Sequence, residues 1–170
     1  LLAKLRKGVV MKRVVLYAER CVGCRVCEAV CSLVNEGEAD PTRSRIKVVR
    51  KIENQVLRAI PVYCLQCETA PCESTCPFRA LTRNEEGVIL VDTERCMGCR
   101  LCEIACPAGA IVVDPRRRVA TKCDLCTSMG EPQCVKFCFP KAIELVEVER
   151  VGRRRANERS ERFLELGGQL

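Results

Sequence analysis

Cys96-Met-Gly-Cys-Arg-Leu-Cys-Glu-Ile-Ala-Cys106-Pro107 places four thiols in twelve residues, with spacing C-x2-C-x2-C-x3-C-P. Three cysteines at successive i, i+3 steps can wrap one face of a cubane iron-sulfur cluster. The fourth, expected to begin the next helical segment, points away from that face and toward another cluster. The run therefore implies a second cysteine run elsewhere in the chain.

Working outward, the remaining twelve of the sixteen cysteines fall into three further groups of four, each opening with C-x2-C. The first, Cys21, Cys24, Cys27 and Cys31, repeats the x2, x2, x3 spacing but has Ser32 where Pro is expected. Serine keeps its backbone N–H, so a helix can continue through Ser32–Glu38. The second, Cys64, Cys67, Cys72 and Cys76, widens its middle interval to x4 and is followed by Pro77. The fourth, Cys123, Cys126, Cys134 and Cys138, has x2, x7 and x3 spacing and carries Phe139 in the Pro position.

Composition agrees with a core built on these thiols. Aromatic residues make up 4% of the chain and Trp is absent, too little bulk for a conventional core of 170 residues. Disulfide scaffolds scatter their cysteines to staple distant loops, whereas these are grouped. A four-cysteine zinc site takes one C-x2-C pair from each of two knuckles, and the third thiol of each run would then serve nothing. The absence of His removes Rieske centres, His-ligated haem and His-based catalytic dyads. The formal charge of +7 is spread along the chain without aromatics to stack on bases, which argues against nucleic acid. Bound clusters would offset part of it.

Leu1–Val10 reads as an N-terminal tail without a secretory signal, and the run from Met11 through KRVVLYAERC as the start of the domain, a strand of β-branched residues leading to the first group. Between the first two groups, Asp40-Pro41 is expected to end any helix. Ile46–Val49 and Gln55–Tyr63 then form a hairpin turning through Arg50–Asn54, read as a surface element or a partner-docking one. Val88–Val91 returns a second hairpin, while Ile111–Val113 and Val119–Thr121 form a third around Asp114-Pro115. A last strand follows in Lys141–Val151, then a charged segment, Arg153–Gly168, with a helical pattern. Arg25, Arg100 and Lys122 neighbour the cysteines and are expected to be ordinary solvated side chains, the alternative being cations that raise local potentials by stabilising the reduced cluster.

The groups pair by proximity. The second and third, joined by one hairpin, make an inner two-cluster unit over residues 64–113. The first and fourth make an outer unit over 11–63 and 114–150, with 32–63 as an insertion, and 151–170 is a C-terminal tail. Exchange of fourth ligands then gives four [4Fe-4S] sets. These are Cys64, Cys67, Cys72 and Cys106; Cys96, Cys99, Cys102 and Cys76; Cys21, Cys24, Cys27 and Cys138; and Cys123, Cys126, Cys134 and Cys31. The expected fold class is α+β, two interleaved ferredoxin-like units with a cluster-dominated core.

This cysteine grid resembles the four-cluster ferredoxin-like subunits of dimethyl sulfoxide reductase and formate dehydrogenase type enzymes over about Met11 to Val148. The small size, ADPTRSRIKVV and PVYCLQCETAPC are most similar to the compact partners of tungsten aldehyde oxidoreductases. The resemblance implies a non-catalytic electron-transfer subunit. It would conduct single electrons between the tungsten- or molybdenum-pterin site of a larger catalytic subunit and a soluble ferredoxin or further acceptor subunit. Formate dehydrogenase, hydrogenase and carbon monoxide dehydrogenase systems use the same module, and a free-standing polyferredoxin is the remaining alternative. A radical enzyme would need a C-x3-C-x2-C loop and a barrel, neither of which is present. Thiolates and clusters suit a cytoplasmic setting, and the sequence holds no transmembrane segment.

Overall fold

The computed structural model describes residues 11–148 together with Ser160, Glu161 and Glu165. The N-terminal tail and most of the charged C-terminal segment lie outside the described residues.

The fold alternates cysteine loops and short helices with two-stranded antiparallel sheets. In chain order it contains β1 (Lys12–Leu16), α1 (Val26–Glu36), β2 (Lys47–Glu53), β3 (Val56–Val62), α2 (Pro71–Ser74), β4 (Leu81–Arg83), β5 (Ile89–Val91), α3 (Leu101–Ala105), β6 (Ile111–Val113), β7 (Ala120–Lys122), α4 (Gln133–Lys136) and β8 (Ile143–Glu147). Three hairpins, β2–β3, β4–β5 and β6–β7, are local, whereas β1 pairs with β8, Lys12 opposite Glu147 and Leu16 opposite Ile143. Helix α1 packs on α4 and α2 packs on α3.

In the first and third groups helix length follows the residue after the fourth cysteine. Pro107 disfavours helical backbone at Cys106, which is extended (φ −78°, ψ 112°), and α3 stops at Ala105. Ser32 imposes no such stop. It is fully buried, its hydroxyl donates to the carbonyls of Glu28 and Ala29, and α1 runs on to Glu36 as expected. The helix ends at left-handed Gly37, whose N–H donates to Leu33 O at 3.0 Å, not at Asp40-Pro41. Asp40 instead caps a 3₁₀ turn at Pro41–Arg43. Contrary to expectation, the fourth cysteine follows the short helix in the third group, and in the first group Cys31 lies inside α1.

The first hairpin also turns more tightly than expected. Arg50–Glu53 belong to β2, and the turn is Asn54-Gln55 alone, both left-handed (φ 51° and 64°). Two positive φ values in a two-residue loop match the right-handed twist of the strands. Nor is this hairpin wholly superficial, since Val48, Ala59 and Tyr63 are buried beneath it. Its other face leaves Val49 and Ile60, paired across the strands, exposed.

Two small apolar centres result. One gathers Leu81, Ile89, Ile111 and Val113 with Cys102, against which Cys72, Cys76, Cys96 and Cys106 pack. The other gathers Ile46, Tyr63 and Ile143 with Cys31 and Cys134, against which Cys27 and Cys138 pack. Thiols of the second and third groups share one centre, and thiols of the first and fourth share the other.

Candidate iron-sulfur centres

Each cysteine group uses the same local device. The first two thiols sit in a loop, and the third lies in the helix that follows. Before α1 and α3 the chain reverses through Arg25 and Arg100, both left-handed at φ 65°. Before α2, Pro71 takes the first helical position, where its missing N–H costs no bond. The reversal turns the loop thiols and the helix thiol toward one space.

A pocket is lined by Cys96, Cys99 and Cys102 and, across from them, by Cys76 of the second group. Leu81 and Val113 help to wall it. A second is lined by Cys21, Cys24 and Cys27 and by Cys138 of the fourth group, beneath Val48, Pro61 and Ile143. Cys24 and Cys99 are the exposed thiols of these two pockets. Among the other eight thiols, burial and neighbouring sulfurs act together. Cys72 is held up first by burial and then by Cys64 and Cys106. Burial likewise holds up Cys134, followed by the charges of Cys123, Cys31 and Cys126.

All sixteen thiols are unbridged. Among the described residues, no three Cys, Asp or Glu side chains converge as ligands of a single metal ion would. They line walls instead, the disposition a cubane needs, because each thiolate binds a different corner iron. Backbone N–H groups already point at several sulfurs: Gln66 at Cys64, Ala80 at Cys76, Ala110 at Cys106, Leu125 at Cys123 (each 3.4 Å) and Ala120 at Cys96 (3.3 Å). Such donors stabilise thiolate charge and tune cluster potential. Burial also pushes the Cys27 and Cys123 thiols up to about 12 and Cys102 up to about 11. At neutral pH these groups are protonated until iron displaces the proton. The all-sulfur donor set, its N–H partners and its pockets fit the cluster type that the spacing implies.

The 4Fe-4S dicluster domain family matches residues 55–148, more than half of the chain, and a 4Fe-4S binding domain matches residues 18–36. The chain belongs to the 4Fe-4S dicluster family. YsaA, a curated protein of Escherichia coli K12 named for electron transport, is 38% identical, the alignment covering 85% of this chain and 96% of that protein. The polyferredoxin-like subunit of an aliphatic sulfonate oxidoreductase from Pyrococcus furiosus is 36% identical, over 79% of this chain and 76% of its own. The thiosulfate reductase electron transfer subunit PhsB of Salmonella typhi is 36% identical, over 77% and 73%.

Within this dicluster chain, four residues beyond the cysteines organise the centres. Glu28 follows the third cysteine of its group and is buried. It accepts the Val48 N–H at 2.7 Å and pairs with Arg25, tying α1 to β2. Glu103 repeats the position and accepts the Val113 N–H at 3.2 Å, tying α3 to β6. The signal was in the sequence, because Glu follows the third cysteine in three of the four groups.

The other two are Gln66 and Lys122. Gln66 is buried, donating Nε2 to Cys123 O at 2.8 Å and accepting the Ile89 N–H at 3.0 Å. Lys122 is not a solvated side chain: it is 3% exposed, and Nζ donates to Ile89 O, to Cys123 O at 2.8 Å and to Gln66 Oε1 at 3.5 Å. Arg25 and Arg100 do lie at the surface.

Proposed function

We propose that this chain is a non-catalytic electron-transfer subunit that binds four [4Fe-4S] clusters. It would carry single electrons between the pterin-metal site of a larger catalytic subunit and an external acceptor. The observation that carries the reading is the pair of pockets in which three thiols of one group face the fourth thiol of another, Cys76 in one and Cys138 in the other. The same exchange assigns Cys106 to Cys64, Cys67 and Cys72, and Cys31 to Cys123, Cys126 and Cys134. It makes residues 64–113 an inner unit, with residues 11–63 and 114–150 an outer one.

When bound, such clusters supply one-electron redox chemistry over a potential range of roughly −700 to +450 mV. The chain's own residues fix their positions, bury them in small apolar centres and direct N–H groups at their sulfurs. Exposed Cys24 and Cys99 put the two pockets at the protein surface, where electrons can enter and leave.

The partner in this reading is a tungsto- or molybdopterin subunit of aldehyde oxidoreductase type, and the complex is cytoplasmic. The electron-transfer names of PhsB and the polyferredoxin-like subunit support a subunit role. They also favour a second choice of partner, a catalytic subunit acting on a sulfonate or sulfur oxoanion. Among the described residues no helix is long and apolar enough to cross a membrane.

Anaerobic purification from the native cell tests this. Expected are about sixteen iron and sixteen sulfide per chain and a large copurifying subunit, whose substrate, aldehyde or sulfur oxoanion, reduces the clusters. Bound zinc with little iron, or elution of the fully loaded chain alone, overturns the reading.

A further inference from the structure

The thiol sets that contain Cys64 and Cys123, one from each unit, adjoin at one place, and a buried cation occupies it. Gln66, between Cys64 and Cys67 in sequence, crosses to the Cys123 carbonyl. Beside it, Lys122 Nζ is received by three oxygens, Ile89 O, Cys123 O and Gln66 Oε1. An ammonium has three donors and no acceptor, so three acceptors suit its charged form. A neutral amine would turn a lone pair toward one of them. All three oxygens are neutral, and burying an ammonium without a compensating anion is costly. The thiols provide that anion once they hold clusters. Lys122 precedes Cys123 directly and, through Gln66, reaches the loop between Cys64 and Cys67, so it stands beside one thiol set of each unit.

We propose that Lys122 is a positioned charge that raises the reduction potentials of the two middle clusters of the chain, the ones held by Cys64, Cys67, Cys72 and Cys106 and by Cys123, Cys126, Cys134 and Cys31. This rests on the four-cluster reading above. Adding an electron makes a cluster more anionic, and a fixed ammonium between two clusters favours that form in each. Electrons entering at either surface pocket then find the centre of the chain downhill rather than uphill, so neither half becomes a dead end. Gln66 is a positioning residue in this scheme. It fixes the ammonium by Oε1 while joining the two loops by Nε2.

Redox titration of the intact protein, wild type against Lys122→Met and Lys122→Arg, separates this from a structural role. With iron content unchanged, Lys122→Met is expected to lower two of four one-electron potentials. The reduction equilibrium constants of those two should fall roughly tenfold, equivalent to about 59 mV. The other two potentials stay in place, and Lys122→Arg leaves all four near wild type. If Lys122→Met sheds iron, Lys122→Gln, which retains two N–H donors, takes its place in the comparison. Unchanged potentials in the neutral variant overturn the proposal, as does an equal shift in all four or the same shift in Lys122→Arg. So does loss of iron from both neutral variants. A wild type without four one-electron steps overturns the four-cluster reading and this inference together.

Discussion

In the proposed cysteine exchange, the inner and outer halves are closed by different means. The inner half, taken here by its apolar centre and so extending past residue 113 through Ala120 of β7, has β4–β5 and β6–β7 as hairpins of three-residue strands, and each short helix lies beside the hairpin that follows it. Nothing there requires distant chain segments to meet. The outer half has no such economy, because its two cysteine groups lie near opposite ends of the described chain. It compensates with longer elements: an eleven-residue α1, the five-residue β1 and β8 pair, and the inserted β2–β3 hairpin that lends Ile46 and Tyr63 to its apolar centre. Long closures cost chain entropy that local hairpins avoid, and the extra buried surface of the outer half offsets that cost. The insertion between the first two groups is thus part of the outer site's wall, and only its far face is left for other contacts.

The largest test of this comparison removes one exchanged thiol from each half. Both Cys106→Ala and Cys31→Ala are expected to cost about four of sixteen irons. In Cys106→Ala the thiols that become open to alkylation should be Cys64, Cys67 and Cys72, with Cys96 and Cys99 protected. In Cys31→Ala they should be Cys123, Cys126 and Cys134, with Cys21 and Cys24 protected. Cys31 also belongs to the outer apolar centre with Ile143, so only this variant should speed amide exchange in β1 and β8. Mass-spectrometric mapping reads both effects. Labelling confined to the mutated cysteine's own group would refute the exchange.

A smaller effect separates the two glycines at equivalent turns. Gly23 and Gly98 both adopt left-handed backbone, at φ 66° and 64°, which costs another residue about 1–2 kcal/mol. A Cβ on Gly98 would also stand 2.2 Å from the Arg118 carbonyl oxygen, a backbone atom held by the β6–β7 turn. On Gly23 it would stand 2.9 Å from the Ala59 side chain and 3.3 Å from Arg50 Nε, on a hairpin better able to shift. Gly98→Ala is therefore expected to be the more damaging, by a further 1–3 kcal/mol or about that. Loss of cluster absorbance on heating ranks the two, and equal losses would mean that the inner half yields as readily as the outer.

How much of this was legible in the sequence depends on the range of the interaction. Cysteine spacing is local and placed all four groups, and Ser32 in a Pro position foretold the longer α1. The β6 strand was read at Ile111–Val113 as observed, because three β-prone residues before Asp-Pro leave little choice. The β2 strand was cut short because Arg50, Lys51 and Glu53 read as turn residues. They lie on exposed positions of a strand whose turn needed only Asn54-Gln55. Lys122 was misread for the opposite reason. Its burial is created by Ile89 and Gln66, residues brought in by other strands and loops, and nothing adjacent to Lys122 in sequence announces them.

The smallest expected effect concerns how tightly the halves are joined. Glu36, at the end of α1 and 3% exposed in its side chain, receives Arg117 from the β6–β7 turn at 2.9 Å. This is an ion pair between the outer and inner halves. Arg117 itself is 44% exposed and also pairs with Asp114 at 3.1 Å, while Glu36 keeps Arg43 as a second partner. Removing Arg117 therefore strands no buried charge, which is the circumstance that makes lost ion pairs expensive. Arg117→Ala should cost no more than about 1 kcal/mol and should matter less as salt is raised. A double-mutant cycle with Glu36→Gln reads the coupling directly. A coupling well above that range would place the main junction of the halves at this surface pair. A small one leaves it to the buried Gln66–Lys122 bridge, where both side chains donate to the Cys123 carbonyl of the fourth group.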